Sequence, residues 1–438
     1  MEADAQPGPE AAAAGGSGGQ AASGGLTRPR SATGVGTGLA GVAALLAGPL
    51  LLRGWPQPAP MKALAVLGLA ALAMLLVDLL VYRVDRHAST GLALAPLRRL
   101  DLRRGLRKLA GFWAMLGVLA VLYLLLPEYG KPFYQPFKDA ALIVLAPLAI
   151  ASPFYVFYVD RRQHAPDDAY AQLGALLLHG RRPADWAPLH LQARGWLVKG
   201  FFLPLMFVYV TNDLTSMWAA PLLPAPDFQH VFSRLIDLFY FIDVGIAAIA
   251  YALTFRLIDT HTRSVEPSVG GWVVCLICYP PIVDVQAPYI QYELDKVYWG
   301  AVFAPWPWLY ALWGSAILVL VFIYAWSTVA FGLRFSNLTH RGIITSGPYR
   351  WARHPAYLSK NLSWWLISVP FVATAGWGVA ALSCAMLGAV NLIYYMRAKT
   401  EERHLGADPV YRHYSDFIGA HGLGAQARRL LARLTPAA

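Results

Sequence analysis

Ten apolar runs, each near the length that crosses a lipid bilayer, determine what this chain can fold into. About 20 apolar residues in a helix span the hydrocarbon core, where no water satisfies the backbone, so such runs form helices. The predicted membrane helices occupy residues 36–53, 63–82, 109–126, 139–158, 196–212, 231–255, 270–284, 307–331, 361–375 and 377–396. The short run at 270–284 contains Pro280 and Pro281, so a broken or re-entrant helix is the alternative there.

The composition indicates a membrane protein rather than a soluble one. Of the 438 residues, 57% are hydrophobic and only 14% are charged, whereas soluble domains carry about 25% charged residues. We therefore predict an all-α, polytopic integral membrane protein with about ten transmembrane helices. The net charge of +11 does not indicate a nucleic-acid partner, because the Lys and Arg residues cluster in loops between apolar runs.

The distribution of these basic residues predicts the orientation of the chain. Residues 83–108, 160–195 and 332–360 are rich in Arg and Lys, whereas the loops that alternate with them are poor in both. Basic loops stay on the cytoplasmic side, so ten crossings place both termini and the 332–360 loop in the cytoplasm, and we expect a bacterial inner membrane. Arg334 and Arg341 in that loop are interpreted as residues that contact lipid head groups and set the topology.

Three regions follow from these patterns. Residues 1–34 are rich in Ala, Gly and Ser and are predicted to be a disordered tail. Residues 35–305 form an N-terminal transmembrane bundle with a scaffold or substrate-pocket role, and residues 306–438 form a C-terminal module. Cys275 and Cys278 have C-x-x-C spacing inside an apolar run, which is typical of packed helix residues, so no metal site is predicted.

Charged residues elsewhere leave alternatives open. Asp243 lies inside an apolar run, where a carboxylate should face the bundle interior, and a structural and a functional role are both open. The polar turn at residues 259–272 is either a solvated loop or part of the lining of a substrate cavity beside the C-terminal module.

The first polar cluster of that module is the loop at residues 347–361. His354 and Tyr357 flank Pro355, where a helix is expected to begin. Free backbone N–H groups at a helix start bind anions, and the basic residues of the loop add positive charge. This corner therefore suits a carboxylate or a phosphate.

The second polar cluster follows the last apolar run. Glu401 and Glu402 are about 100° apart on the exiting helix, so one can face the bundle. Arg397 lies four residues before Glu401 and can pair with it, and Tyr411 and Tyr414 could cover a planar ring. Together the two clusters suit an adenosine cofactor with a charged tail, and these groups alone leave S-adenosylmethionine and NADPH both open.

The order and spacing of these motifs over about residues 310–420 resemble the isoprenylcysteine carboxyl methyltransferase family and its phospholipid methyltransferase relatives. The matching segments are Gly347-Pro348-Tyr349-Arg350, Arg353-His354-Pro355-Ala356-Tyr357, Glu401-Glu402-Arg403-His404-Leu405 and Tyr411-Arg412-His413-Tyr414. Two departures are Ser359-Lys360-Asn361, where the family often has Gly, and Gly406-Ala407-Asp408-Pro409 in place of a Phe-Gly segment. The long N-terminal bundle points to a specialised pocket rather than to a prenylated-protein substrate.

The resemblance implies a methyltransferase that holds S-adenosylmethionine between the loop and the exiting helix, with the methyl group aimed at a lipid-accessible tunnel. The implied partners are a lipid-like or amphipathic small-molecule substrate and the surrounding membrane lipids; no catalytic base or oligomeric state is implied. The cofactor contacts carried over are His354, Tyr357, Arg397, Glu401 and Glu402, followed by Tyr349, Arg353 and His404.

Two other functions remain as alternatives. The sterol reductases have a similar Arg-His-Pro-x-Tyr loop and a comparable ten-span size, so an NADPH-dependent membrane reductase is one of them. Acids within the apolar runs are also compatible with a non-enzymatic receptor or transporter, although no internal repeat is present.

Overall fold

A computed structural model of the chain describes residues 26–221 and 225–434. The helices are α1 Val35–Leu51, α2 Ala59–Leu76, α3 Leu102–Leu125, α4 Pro127–Gly130, α5 Gln135–Asp160, α6 Ala169–His179, α7 Ala187–Ala219, α8 Phe228–Ala252, α9 Val269–Leu276, α10 Ile282–Gln286, α11 Trp299–Phe303, α12 Pro307–Phe331, α13 Pro355–Ser368, α14 Trp377–Leu405, α15 Pro409–His421 and α16 Leu423–Leu434. Strands β1 Ser264–Val265 and β2 Thr339–His340 form an antiparallel pair.

Seven helical segments within the described ranges are long and apolar enough to cross a membrane. They are Ala59–Val81, Leu102–Leu125, Pro132–Asp160, Ala187–Ala219, Phe228–Ala252, Pro307–Arg334 and Trp377–Leu405. Each coincides with a predicted run, which confirms the all-α, polytopic membrane class. Helix α1 matches the first predicted run but is shorter, with 17 residues.

The other two predicted runs do not form full-length spanning helices. In the run at 270–284, α9 ends at Leu276, and the turn through Pro280 and Pro281 separates it from the short α10. A proline lacks the N–H that would continue a helix. In the run at 361–375, α13 ends at Ser368, and Val369 has a φ of 39°. Val369 precedes Pro370, which disfavours the right-handed helical conformation at that position.

The helices α7 and α8 form the centre of the bundle. In an apolar stretch of 18 residues, 61% of the residues of α7 and 56% of those of α8 are buried. The corresponding fraction is 11% for the span that contains α5. Fully buried side chains such as Phe202 and Tyr251 stack at 5.3 Å between α7 and α8. The outer helices instead expose apolar side chains, as expected where lipid replaces water.

Loops from distant parts of the chain meet at one end of the bundle. Ser89 donates to Asp259 Oδ2 at 2.7 Å, Leu92 bridges to Gln163, and Ser264 pairs with His340. The three predicted cytoplasmic loops are therefore linked at this end. Because β1 and β2 pair on either side of the single span α12, the segment at 266–306 must make the return crossing through short helices. That this end faces the cytoplasm stays a prediction.

The described end of the predicted tail also packs at this end. Ala32 N donates to Ile343 O at 2.9 Å, Thr345 Oγ1 donates to Pro29 O at 2.8 Å, and Thr33 is buried. These contacts with the loop before α13 were not anticipated from the composition. Residues 1–25 of the predicted tail lie outside the described residues.

A buried ion pair joins the N-terminal bundle to the end of α12. Arg334 Nη2 lies 2.7 Å from Asp259 Oδ2, both side chains are at most 2% exposed, and Arg263 lies 3.3 Å from the same carboxyl group. Burial alone would raise the pKa of Asp259, but the charges of Arg334 and Arg263 and the Ser89 hydrogen bond outweigh it and lower the pKa below its ordinary value.

Arg341 is buried as well and donates to Ala250 O at 2.8 Å. Burial lowers the pKa of Arg341 to about 10. The interpretation of Arg334 and Arg341 as contacts for lipid head groups is therefore wrong, because both guanidinium groups bind partners inside the protein.

Candidate active site

Four predicted residues form a polar clasp between the start of α13 and the end of α14, which we define as His354, Tyr357, Glu401 and Glu402. His354 Nε2 lies 3.2 Å from Glu402 Oε1, and Tyr357 donates its hydroxyl to Glu401 Oε2 at 2.9 Å. Pro355 starts α13 directly after His354 and fixes the helix entrance. The rings of His354 and Tyr357 stack with centroids 5.5 Å apart. The tertiary structure thus brings together residues 44 to 48 positions apart.

The two glutamates of the clasp have different surroundings. Glu402 Oε1 lies 3.2 Å from Arg353 Nη1, and Lys399 donates to Glu402 Oε2 at 2.8 Å. Arg353 also donates to Ser415 on α15 at 3.1 Å. Glu401 has the Tyr357 hydroxyl and a longer 3.8 Å approach of His354, and its side chain is 38% exposed. Glu402 therefore holds the side chains of His354, Arg353 and Lys399 in place, whereas the Glu401 carboxylate can still accept further hydrogen bonds.

Arg397 is buried and does not pair with Glu401. Its Nη2 donates to Asn337 Oδ1 at 2.5 Å and approaches the Tyr279 hydroxyl at 3.4 Å. The guanidinium also lies 5.1 Å from the Tyr357 ring centroid and 5.8 Å from the Tyr394 ring centroid. These contacts hold a permanent cation beside the clasp.

A pocket beside the clasp draws its walls from both halves of the chain. It contains about 430 Å³ of free space, part of it open to solvent. The lining residues are Glu266, Gly271, Cys275, Ser336, Asn337, Leu338, Thr339, Tyr357, Arg397, Thr400, Glu401, His404 and Leu405. The polar turn at 259–272 therefore contributes to a cavity wall, as one of the two sequence-based alternatives proposed.

Glu266 is a pocket residue that the sequence did not single out. Its side chain is 3% exposed, and its Oε1 accepts from the Ser268 backbone at 3.0 Å. Glu266 Oε2 lies 4.0 Å from His404 Nδ1, and His404 Nε2 lies 2.9 Å from Ser264 Oγ. A glutamate before a proline in a polar turn is typical of a solvated loop, so its sequence carried no signal for burial.

The remaining predicted residues lie around the site rather than in it. Tyr349 is buried against Phe331 with ring centroids 5.1 Å apart and does not line the pocket. Its carbonyl accepts from the Tyr414 hydroxyl at 2.6 Å. Tyr414 and Tyr411 are buried as well, so both pack α15 against the loop before α13.

These helices and this pocket define a polytopic membrane protein with a polar site between the start of α13 and the end of α14. Residues 309–407 match the model of the isoprenylcysteine carboxyl methyltransferase family. No curated protein and no solved structure gives a significant match to the chain. The match covers nearly all of α12 to α14 and all eight predicted cofactor contacts, which confirms the resemblance of the C-terminal module. It supports a membrane methyltransferase and does not favour a reductase.

Proposed function

We propose that this chain is an integral membrane methyltransferase that uses S-adenosylmethionine to methylate a lipid-like substrate at the cytoplasmic membrane face. The observation that carries the proposal is the clasp, because its four residues make contact with one another and all lie within the segment matched by a methyltransferase family. The bundle at 35–305 adds the wall that includes Glu266 and serves as scaffold and substrate pocket.

The polar groups of the pocket fit this cofactor. Glu401 and Glu266 offer carboxylate oxygens that suit ribose hydroxyls or an ammonium group. Arg397 in the pocket and His354 in the adjoining clasp offer donors for a carboxylate, and the ring of Tyr357 offers a face for a cation. When bound, S-adenosylmethionine supplies an electrophilic methyl group. His404 lines the pocket beside Glu266, whereas Arg353 and Tyr349 would support the site indirectly through Glu402 and the loop before α13.

The chain's own residues act by orienting the reactants and excluding water. The rings of Tyr357 and Tyr394 pack edge to face beside the polar pocket, with centroids 5.7 Å apart, and would limit the access of water to it. An oriented carboxylate or thiolate acceptor then needs no strong base, because positioning and desolvation lower the barrier. We assign no general base for an amine or hydroxyl acceptor.

Binding calorimetry with the purified chain in detergent tests the proposal. His354→Ala and Glu401→Ala should each weaken S-adenosylmethionine binding about tenfold or more, since each removes a charge-assisted contact. His164→Ala and Glu293→Ala, at exposed positions, are the matched controls and should bind as the wild type does. Transfer of a radiolabelled methyl group into a membrane lipid extract tests the reaction itself.

Two outcomes would contradict the proposal. One is an intact wild-type chain that binds no S-adenosylmethionine. The other is saturable NADPH binding, followed by fluorescence, that His354→Ala abolishes. The second result would favour the membrane reductase.

A further inference from the structure

Lys360 on α13 holds an ammonium group inside a cage of three aromatic rings, which we define as Tyr324, Trp364 and Tyr394. The distances from Lys360 Nζ to the three ring centroids are 5.1, 5.3 and 5.8 Å. No residue of the described ranges accepts a hydrogen bond from this ammonium or forms an ion pair with it. The rings come from α12, α13 and α14, so the cage lies inside the C-terminal module.

An ammonium group without a hydrogen-bond acceptor or an ion-pair contact is unusual in such a place. Ring faces stabilise a cation, but they replace only part of the hydration that a lysine loses in an apolar bundle. Intramembrane cations therefore normally pair with an anion or mark a substrate path. Lys360 has three ring faces and the longer-range attraction of Asp243, but no described residue places an anion in direct contact with its ammonium group.

The acidic side chain of the N-terminal bundle that attracts the Lys360 ammonium group already has two hydroxyl donors. Asp243 on α8 is buried and accepts from the Tyr324 hydroxyl at 2.6 Å and from the Thr328 hydroxyl. Both carboxylate oxygens therefore have donors. Asp243 holds Tyr324, one wall of the cage, in place.

The cage adjoins the pocket on the side of the membrane interior. Lys360 follows Tyr357 by three residues, so both occupy the same face of α13, about one turn apart. The Tyr394 ring lies 5.7 Å from the Tyr357 ring, and it also forms a wall of the cage. A molecule that extends from the bilayer towards the clasp would pass this ammonium group.

We propose that Lys360 binds an anionic head group, a carboxylate or a phosphate, on the lipid methyl acceptor, and that Asp243 positions the cage through Tyr324. This inference rests on the proposed methyltransferase function. It assigns part of the acceptor site to α8, which lies outside the segment matched by the family.

Binding of three radiolabelled probes to the full chain in zwitterionic nanodiscs tests the inference. The probes are palmitate, monohexadecyl phosphate and hexadecanol, which share an acyl length and differ in head group. Lys360→Met should weaken binding of at least one anionic probe about tenfold and leave hexadecanol binding unchanged. Lys360→Arg should restore most of the loss, and Lys131→Met, at an exposed position, should have no effect. The anionic probe that responds identifies the head-group chemistry.

Two further variants, Asp243→Leu and Asp243→Asn, test the role of Asp243. Asp243→Leu should weaken anionic-probe binding selectively, whereas Asp243→Asn, which still accepts from Tyr324, should retain it. Equal loss of all three probes in both variants would show a merely structural role for Asp243.

The inference is overturned if wild type binds hexadecanol as tightly as both anionic probes, or if Lys360→Met changes no probe. Calorimetry with S-adenosylmethionine on the same variants keeps the two proposals apart. Lys360→Met should bind this cofactor normally. A wild type that binds an anionic probe through Lys360 but no S-adenosylmethionine would defeat the proposed function and not the head-group site.

Discussion

At the scale of single residues, the adjacent glutamates at the end of α14 divide two tasks. Glu402 is surrounded by His354, Arg353 and Lys399, and it does not line the pocket. Glu401 lines the pocket and has one hydroxyl donor, from Tyr357. Their separation by about 100° around the helix explains how neighbours in sequence reach such different surroundings.

Tyr357→Phe should weaken S-adenosylmethionine binding by about three- to tenfold. The change removes the hydrogen bond to Glu401 and keeps the ring against Arg397, so the expected loss is about 1 kcal/mol, the net contribution of one hydrogen bond. Calorimetry in detergent gives the value. Tyr289→Phe, at an 80% exposed position, is the control. An unchanged affinity for Tyr357→Phe would mean that this hydrogen bond does not orient Glu401 for the ligand.

At the scale of elements, α9 is the part of the N-terminal bundle that closes the pocket. It packs against α14, and its start is held by the Ser268 cap, which accepts from Gly271 N at 3.1 Å. The β1–β2 pair brings the Glu266 backbone to Leu338, with an N–H to carbonyl distance of 2.8 Å.

Gly271→Ala should weaken S-adenosylmethionine binding, with about a tenfold loss if Glu266 rotates into the pocket. A Cβ at Gly271 would lie 2.4 Å from Glu266 Cγ, so the carboxylate must move. Gly270→Ala is the matched control, because a Cβ there meets no atom within 4 Å. Both substitutions raise helix propensity equally.

A lower affinity for Gly270→Ala as well would attribute the effect to helix propensity instead. If Gly271→Ala and Gly270→Ala both bind S-adenosylmethionine with wild-type affinity, then moving the Glu266 carboxylate does not affect cofactor binding.

At the scale of the whole molecule, a buried charge network joins the matched module to the bundle. Asp259 lies between α8 and β1, and Arg334 follows α12 directly. Their ion pair is shared with Arg263 of the same loop and with Ser89, so three segments of the chain meet at one carboxyl group. The loop that follows Arg334 contains Asn337, and Asn337 Oδ1 accepts a hydrogen bond from Arg397 at the pocket.

Arg334→Met should lower the stability of the chain by about 3 kcal/mol, because it leaves the Asp259 charge buried with weaker compensation. Thermal denaturation in detergent, followed by circular dichroism, measures the change as a lower midpoint. The double variant Arg334→Met with Asp259→Leu should regain part of the loss, since it removes the unpaired charge.

Lys131→Met, which breaks the exposed pair with Glu128, is the control and should cost less than about 1 kcal/mol. If Arg334→Met is no more destabilising than this control, the buried pair does not hold the two halves together.

Much of the fold was predictable because a bilayer imposes a local rule. Apolar length decides which segments cross, and that length is visible in the sequence without tertiary knowledge. The seven spanning helices therefore coincide with predicted runs. The runs at 270–284 and 361–375 failed as full spans because Pro280, Pro281 and Pro370 act on backbone geometry, which hydrophobicity does not report.

The sequence by itself determined the membrane class and the two polar clusters, including His354, Tyr357 and the Glu401–Glu402 pair. Only the tertiary structure decided that Arg334 and Arg341 are buried, that Glu266 forms a pocket wall, and that Lys360 lies among three rings. The physical reason is that a charged residue takes its role from the groups packed around it. In a helical bundle those groups come from segments tens to hundreds of residues apart. No local sequence pattern indicates that such segments will be in contact.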